Sequence, residues 1–581
     1  MEKHTPLSQY EKLIAHLQWL LLCIGVLTAP SINAQEQTIP FNRPGDERTD
    51  ILKNKPFEPK PQPQLQLPPI KKTDSTEKLL SHRLQIDIKQ IEFEGNTAFT
   101  REQLDYIVKD YIGQKVDTLE LQQIRLAVTQ HYINNGYINS GAVIPDQDVA
   151  QGILQINVIE GQLSDIIVAN NGRLNDVYIS DRIRLDKHHP LDLTQLQERL
   201  YLLQQDPRIK RINANLAPGA TRGDSTLNIA ITEEKPYNLS LNINNHRPPS
   251  VGEEQAILAF NHLNVSGAGD NIDLRFSVTE GLENSYVNYN WPLLANDTML
   301  NLSYETSDSE VIEDTFKALD IDSESYTGSI GVTVPLFKSS SEAYTVSVKL
   351  DKRRSETQAF NGSTLDVGIN RVSALRLTQS WLQHKNNEVY SFRHTLSVGI
   401  DALDATRFKP GRNCERGQTD NNCRADSDYT AWLLQFQWAK RHIPVDIQTI
   451  FRTDLQVAMD NLMSMEQFAV GGANTVRGYR ENQLVRDNGF IASWEIRKLV
   501  YRNEAATQEL QLVGFTDYGR SWNKNSDKAE NIYSVGTGIK WTWQDKAAAE
   551  LFWAKALNDV NDFDDSLQDD GIHINLIATI L

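Results

Sequence analysis

The segment DNIDLRFSV (Asp270–Val278) alternates polar and apolar residues from its second position onward. Successive side chains of a β-strand point to opposite sides, so a strand with this sequence has one apolar face and one polar face. Further segments with the same pattern occur at Leu300–Glu305, Tyr344–Leu350, Leu434–Trp438 and Ile539–Trp543. The pattern predicts a long series of strands with two unlike faces in residues 237–581.

Two classes of fold contain such strands. A soluble β-sandwich alternates too, but its polar face looks outward and its core face need not repeat so evenly over residues 237–581. In a bilayer every backbone polar group must be paired, so a spanning sheet has to close, with its apolar face toward lipid and its polar face toward a wet lumen. About 10 residues per strand, and about as many for each connection, give roughly 16 strands. We therefore expect a transmembrane antiparallel β-barrel in residues 237–581.

Before the barrel, short strands alternate with amphipathic helices, and the order strand, helix, helix, strand, strand occurs twice. The first unit covers residues 84–161, with helices predicted after Thr100, an N-cap residue, and from Leu119. The second unit, residues 162–236, repeats the order in shorter form. We expect two small α+β domains in front of the barrel.

The N-terminus has the features of an export signal. An apolar run, Leu13–Ala29, follows two lysines and falls short of a full bilayer span of about 20 residues. It predicts a signal peptide over residues 1–34, cut after Ala34, with an uncleaved anchor helix as the alternative. Residues 35–83 are rich in proline and predict an extended linker, either a periplasmic tether or a disordered tail.

Export bears on the two cysteines that remain after the signal is removed. Cys414 and Cys423 lie in a polar stretch and would form a disulfide in an oxidising compartment; half of a zinc site is the alternative, but zinc requires four ligands. The pair His188-His189 lacks the spacing of a metal site. The acidic segment Asn558–Asp570 is interpreted as a solvated external loop, with calcium binding as the alternative. We expect no metal and no cofactor.

Charge and motif content exclude several functions. The chain has 58 Lys and Arg against 76 Asp and Glu, a net charge of −18, which argues against nucleic-acid binding. It contains no G-x-x-x-x-G-K-[ST] loop, so it does not itself supply nucleotide hydrolysis. The sparse histidines of the barrel segment suggest no Ser-His or Asp-His pair, so an outer-membrane lipase or protease is disfavoured and we expect no enzyme activity.

Two short motifs in the barrel segment make the interpretation more specific. In the first, an Arg followed by Gly lets a loop tip turn tightly and presents a guanidinium to a carboxylate in two parallel hydrogen bonds. The second places a carboxylate on a strand. The motifs are Val476-Arg477-Gly478-Tyr479 and Phe515-x-Asp517-x-Gly519. They resemble the loop and barrel-wall motifs of the outer-membrane superfamily that holds BamA and the two-partner-secretion transporters (TpsB), which include the haemolysin secretion/activation proteins.

The resemblance covers the signal, the linker, two POTRA-like units and the barrel. It implies that Asp517 faces the lumen and pairs with Arg477, while Phe515, Gly519 and Tyr479 pack or clear space around the contact. Without such pairing, Arg477 would merely solvate a surface loop. Family members often carry a plug helix in the resting barrel, and the ten-residue candidate for it here is Asp46–Lys55.

The function that the resemblance implies is protein export. We expect an outer-membrane pore that binds an unfolded secreted partner of the TpsA type through its periplasmic POTRA domains and moves it to the cell surface without nucleotide hydrolysis. The alternative is a BamA-like assembly factor for other outer-membrane proteins. We further expect a monomer surrounded by outer-membrane lipid and lipopolysaccharide.

Overall fold

The computed structural model describes residues 63–67, 85–185, 189–317, 320–358, 368–407, 425–558 and 566–581. Several predicted features lie outside these residues: the signal peptide (residues 1–34), the candidate plug helix Asp46–Lys55, His188, and the cysteines Cys414 and Cys423. The acidic segment Asn558–Asp570 lies partly outside them.

Upstream of the barrel, the described residues form two α+β units. In chain order their elements are β1 (Gln64–Gln66), β2 (Ile86–Asp87), β3 (Gln90–Glu94), α1 (Arg101–Val108), a 3-10 turn (Lys109–Tyr111), β4 (Lys115–Val116), α2 (Thr118–Asn134), β5 (Gly141–Val143), β6 (Ile153–Ile159), β7 (Gln162–Asn170), α3 (Asp176–Ile183), α4 (Leu193–Gln204), β8 (Ile209–Pro218) and β9 (Asp224–Glu233).

The first unit begins both of its helices at capping boxes. Thr100 and Gln103 cap α1, and Asp117 and Glu120 cap α2, so that backbone N–H groups at each helix start find side-chain acceptors. The apolar sides of the helices cover a sheet in which β6 pairs in parallel with β3 and antiparallel with β5. The core contains Leu104, Ile124, Val128 and Ile156. Among the helices in the described ranges, we find none both long and apolar enough to cross a bilayer.

The second unit has a sheet with the order β1-β8-β9-β7. Its first member, β1, belongs to the proline-rich segment and pairs in parallel with β8, with Leu65 opposite Ala214. Leu65 packs on the core of the unit. Proline-rich chain is tolerated at a sheet edge because one side of an edge strand needs no ladder hydrogen bonds. The predicted extended linker is thus extended here, but it also contributes an edge strand.

The barrel strands form an antiparallel series. Their bounds are β10 (Tyr237–Asn244), β11 (Gln255–His262), β12 (Asn271–Val278), β13 (Leu282–Pro292), β14 (Met299–Glu310), β15 (Asp322–Lys338), β16 (Glu342–Gln358), β17 (Gly368–Lys385), β18 (Glu388–Gly399), β19 (Thr430–His442), β20 (Ile447–Ala458), β23 (Asn488–Arg502), β24 (Gln508–Trp522), β25 (Ala529–Trp543), β26 (Ala547–Ala556) and β27 (Ile572–Thr579). A short hairpin, β21 (Phe468–Val470) with β22 (Leu484–Arg486), lies in the connection between β20 and β23.

The connections between barrel strands contain short helical segments at a few points. They are 3-10 turns at Pro249–Val251, Ile443–Val445 and Ser464–Glu466, and the helix α5 (Asp314–Lys317).

The sheet closes as predicted. In the described part of the chain, sixteen strands each pair with the next barrel strand along the chain, β20 with β23 across the short hairpin, and β27 pairs back to β10 over Ser240–Asn244 and Asn575–Thr579. Leu274 and Phe276 of β12 are exposed on the outside, whereas Ser277, on the opposite face of the same strand, is buried. This alternation confirms the predicted transmembrane antiparallel barrel, with its apolar face outward.

The second unit is fastened to one end of the barrel, which we call the near end. Arg182 donates a hydrogen bond of 2.9 Å to Asp297 in the turn after β13, and Lys338 of β15 binds the same carboxylate at 2.5 Å. Burial works to raise the pKa of Asp297, but the charges and hydrogen bonds of Lys338 and Arg182 outweigh it and hold that pKa below its ordinary value. Arg208 donates to the backbone carbonyls of Leu263 and Gly269 in the preceding turn. The opposite rim is the far end.

Candidate functional site

The connection between β20 and β23, residues 459–487, enters the barrel from the far end and is called the lumen loop. Its hairpin, β21 and β22, packs against β23 and β24. The side chains of Phe468, Val470 and Val476 are buried together with Ile491 and Ile532 of the wall. The lumen face is therefore apolar beneath the loop, where strict alternation predicts polar residues.

Arg477 lies near the tip of the lumen loop and is 3% exposed. Its Nε and Nη2 donate to the two carboxylate oxygens of Asp517 on β24, at 2.8 and 2.9 Å, and its backbone N–H donates to the same carboxylate at 3.1 Å. The paired geometry is the fork that a guanidinium and a carboxylate form best. The structure thus brings together the two residues that the resemblance pairs.

Two further residues of the wall, neither of them predicted from the sequence, bind the same guanidinium. Nη1 of Arg477 donates to Glu495 at 2.6 Å, and Nη2 donates to Ser493 at 3.2 Å; both residues are on β23. Ser493 also donates to Asp517 at 2.6 Å. Glu495 is 1% exposed and accepts a second hydrogen bond from Arg497 at 2.5 Å. The alternation of the strand could have indicated both residues, because positions 493 and 495 have the same parity and share its inward face.

The aromatic and glycine residues of the wall motif surround this contact. The ring centroid of Phe515 lies 3.4 Å from the guanidinium carbon of Arg477, a cation–π contact. Gly519 lies under the loop: a Cβ atom there would be 2.3 Å from Val470 and 2.8 Å from Val476. The absence of a side chain at position 519 therefore lets the loop approach the wall.

The remaining loop-motif residues contact β25, β27 and the connection that follows β26. Gly478 has φ +88° and donates its N–H to Nε2 of His573 on β27 at 3.0 Å. The hydroxyl of Tyr479 bonds the carbonyl of Tyr533 on β25 at 3.0 Å, and the side chain of Asn558, just after β26, at 2.6 Å. The tip is thus fixed to the wall over the strands from β23 to β27.

Arg480, the residue after the predicted loop motif, ties the tip to the connections at the far end. It donates to both carboxylate oxygens of Asp569, at 2.6 and 2.7 Å, and to Glu313 at 2.8 Å. Nothing in the local sequence indicates the pairing of Arg480 with Glu313, because the two residues are 167 positions apart in the chain. The loop tip consequently joins connections from both ends of the barrel sequence.

The geometry is that of a barrel with a loop bound to its inner wall. A closed barrel surrounds a loop of its own chain, and that loop is held by hydrogen bonds and ion pairs that can be exchanged without breaking covalent bonds. Together with the α+β units at the near end, this defines an outer-membrane barrel of the transporter class.

Comparison with known protein families gives the same class of protein. The family model described as "Haemolysin secretion/activation protein ShlB/FhaC/HecB" matches residues 223–541, more than half of the chain, and the chain belongs to this family. The model "POTRA domain, ShlB-type" matches residues 86–161. The protein is therefore an outer-membrane transporter of secreted proteins, with POTRA domains in the periplasm; the near end faces the periplasm and the far end the cell exterior.

Individual relatives are distant in sequence. The outer membrane transporter CdiB of Dickeya dadantii is 23% identical over 78% of this chain and 79% of that protein. The heme/hemopexin transporter protein HuxB of Haemophilus influenzae is 21% identical over 83% of this chain and 86% of that protein. The solved structure of CdiB from Escherichia coli superimposes with a TM-score of 0.67 at 17% identity, covering 100% of both chains. BamA from Haemophilus ducreyi shares the fold at a TM-score of 0.50 and 12% identity, over 85% of this chain and 100% of that chain.

Replacing Arg477 with alanine should lower the free energy of unfolding of the barrel by about 3–5 kcal/mol, because Asp517 and Glu495 would remain buried without their guanidinium. Arg477→Ala combined with Asp517→Ala should cost less than the sum of the single changes, since contacting residues are not additive. Urea unfolding in liposomes, followed by tryptophan fluorescence, measures these costs, with Lys524→Ala at an exposed position as the control. Additive costs would show that the contact itself contributes nothing.

Two glycines on β24 give a matched pair for the close approach of the loop. Gly519→Ala should destabilise the protein by about 1–3 kcal/mol, because the new methyl group overlaps Val470 and Val476. Gly514→Ala should change stability by less than about 0.5 kcal/mol, because a Cβ atom there meets nothing within 4 Å. The same unfolding measurement compares them, and equal effects of the two substitutions would contradict the packing role of Gly519.

Proposed function

We propose that this protein is the outer-membrane pore of a two-partner secretion system. It binds an unfolded TpsA-type passenger in the periplasm through its POTRA domains and translocates it to the cell surface without nucleotide hydrolysis, acting as a transporter and not as an enzyme. The observation that carries the proposal is the lumen loop, which is bound to the inner wall of a closed barrel by polar contacts centred on Arg477 and Asp517. A pore closed by its own loop is suited to opening for a chain and closing behind it.

The energy for transport comes from the passenger. The chain contains no phosphate-binding loop of the nucleotide-hydrolysing type. A passenger that arrives unfolded and folds only outside gains the free energy of burying its apolar surface on that side, and each folded segment prevents backward movement. The wet lumen needs only to keep the passing chain extended.

The site of passenger recognition is proposed at the edge of β8 in the second POTRA unit. That edge carries β1, three residues of the chain's own proline-rich segment, joined in parallel through Gln64–Gln66 opposite Asn213–Asn215. Short added strands bind by main-chain hydrogen bonds that any extended peptide can supply, with alternate side chains giving specificity. A passenger strand would replace β1 and use the position that Leu65 now occupies on the core.

Transport by the purified protein tests the proposal. The test passenger is the large exported protein that we expect to be encoded in the neighbouring reading frame. Supplied unfolded on the POTRA side of liposomes, it should become protease-protected inside them with no nucleotide added. A variant lacking residues 85–236 should insert but transport nothing. A nucleotide requirement, or full transport without the POTRA units, would contradict the proposal, and loss of many other outer-membrane proteins from cells lacking this chain would favour the BamA-like alternative.

A disulfide between β1 and β8 should block secretion if β1 has to leave. Gln66 and Asn215 are register partners and both are exposed, so Gln66→Cys with Asn215→Cys places two thiols side by side on the open face of the sheet. We expect passenger release into the medium to stop in oxidised cells and to return when a thiol reductant is added. The two single-cysteine variants serve as controls. Undiminished secretion with the strand locked would remove the β8 edge from the recognition mechanism.

A further inference from the structure

The lumen loop makes a second buried ionic contact at its entry, eleven residues before Arg477. Glu466 closes the 3-10 turn Ser464–Glu466 and is 1% exposed. Nη2 of Arg376, on β17, donates to both of its carboxylate oxygens, at 2.8 and 2.9 Å. Nη1 of Arg353, on β16, lies 3.4 Å from the same carboxylate and donates to the carbonyl of Met465 at 3.0 Å.

The wall residues of this contact are themselves held in place. Nε of Arg376 donates to Asp351 at 2.6 Å, and Nη1 donates to Ser397 on β18 at 2.6 Å. Asp351 also lies 3.5 Å from Lys349 and 3.8 Å from Arg353. Lys349, Arg353 and Arg376 of the wall thus surround Asp351, which is also a wall residue. Glu466 of the loop supplies the second negative charge of this group.

The polarity of this contact is the reverse of the first. At the tip, the loop supplies the guanidinium and the wall supplies the carboxylates; at the entry, the loop supplies Glu466 and the wall supplies guanidinium groups. The two contacts also involve different parts of the barrel wall, because β18, β19 and β20 separate β17 from β23. The loop is therefore bound to the wall at two separate buried ionic sites.

We infer that Glu466 is a second positioning residue, which holds the entry of the lumen loop to the wall at β16 and β17 independently of Arg477. Loss of the contact between Arg477 and Asp517 then loosens the tip, which Gly478, Tyr479 and Arg480 also fasten, but leaves the entry of the loop fixed at β16 and β17. Full clearance of the lumen requires both sites to open. Closure of the pore by two ionic sites goes beyond the proposed function and does not depend on any passenger.

Ion conductance of the full-length protein in planar lipid bilayers tests this directly. Glu466→Gln and Arg477→Gln should each raise the conductance by no more than about twofold, whereas the double variant should exceed either one by about fivefold or more, because two parallel tethers act non-additively. Asp527→Asn, at an exposed position of the connection between β24 and β25, is the control and should conduct as the unaltered protein does. A double variant that conducts like Arg477→Gln would overturn the inference.

A charge exchange separates positioning from folding. In the Arg477→Gln background, Glu466→Arg should open the pore, and adding Arg376→Glu should close it again by restoring one pair of opposite charges. Heat-modifiable migration on gels shows whether each variant is folded, and the nearly isosteric Glu466→Gln supplies the result if the exchanged variants do not fold. Failure of Arg376→Glu to lower the conductance of a folded barrel would contradict a tether between these two side chains.

Discussion

A guanidinium taken out of water has to keep its charge paired, and this requirement organises the barrel around Arg477. The pairing is met by Asp517 and Glu495, both almost fully buried. Each carboxylate occupies an inward position on its strand, so the register of β23 and β24 has to place both carboxylates within reach of one guanidinium. A slip of one residue would turn Asp517 toward lipid and leave Arg477 without its main partner. The loop contact and the strand register thus stabilise each other.

The sequence predicted the parts of the molecule whose cause is local. Alternation along Asp270–Val278 and its counterparts depends on neighbouring residues alone, and it led correctly to a closed barrel of about sixteen strands. The helix start predicted after Thr100 likewise follows from a few adjacent side chains, and the helix predicted from Leu119 begins one residue earlier, at Thr118, behind the cap Asp117. The two motifs around Arg477 and Asp517 came from resemblance, because nothing local says that residues forty positions apart meet.

Features that depend on distant segments were missed. Glu495, His573 and Asp569 contact the lumen loop only because the barrel closes around it, and the pairing of Arg376 with Glu466 spans ninety positions. Leu433, Ile491 and Ile532 break the expected polarity of the lumen for the same reason: an inward residue becomes apolar where the chain's own loop, and not water, covers it. The strand at Gln64–Gln66 could not be predicted from the sequence, because the pairing of an edge strand depends on which surface the linker contacts.

The strands of the barrel differ greatly in length, and this makes its wall mechanically uneven. β15, β16 and β17 are long and pair over almost their whole extent, whereas the ladder between β10 and β27 runs from Ser240 to Asn244, with further backbone hydrogen bonds at Leu239 and Asn245. The resistance of two strands to being pulled apart grows with the number of ladder hydrogen bonds between them. Under sideways tension or heating, the barrel would separate first between its first and last strands, β10 and β27, and the half with the long strands would stay whole.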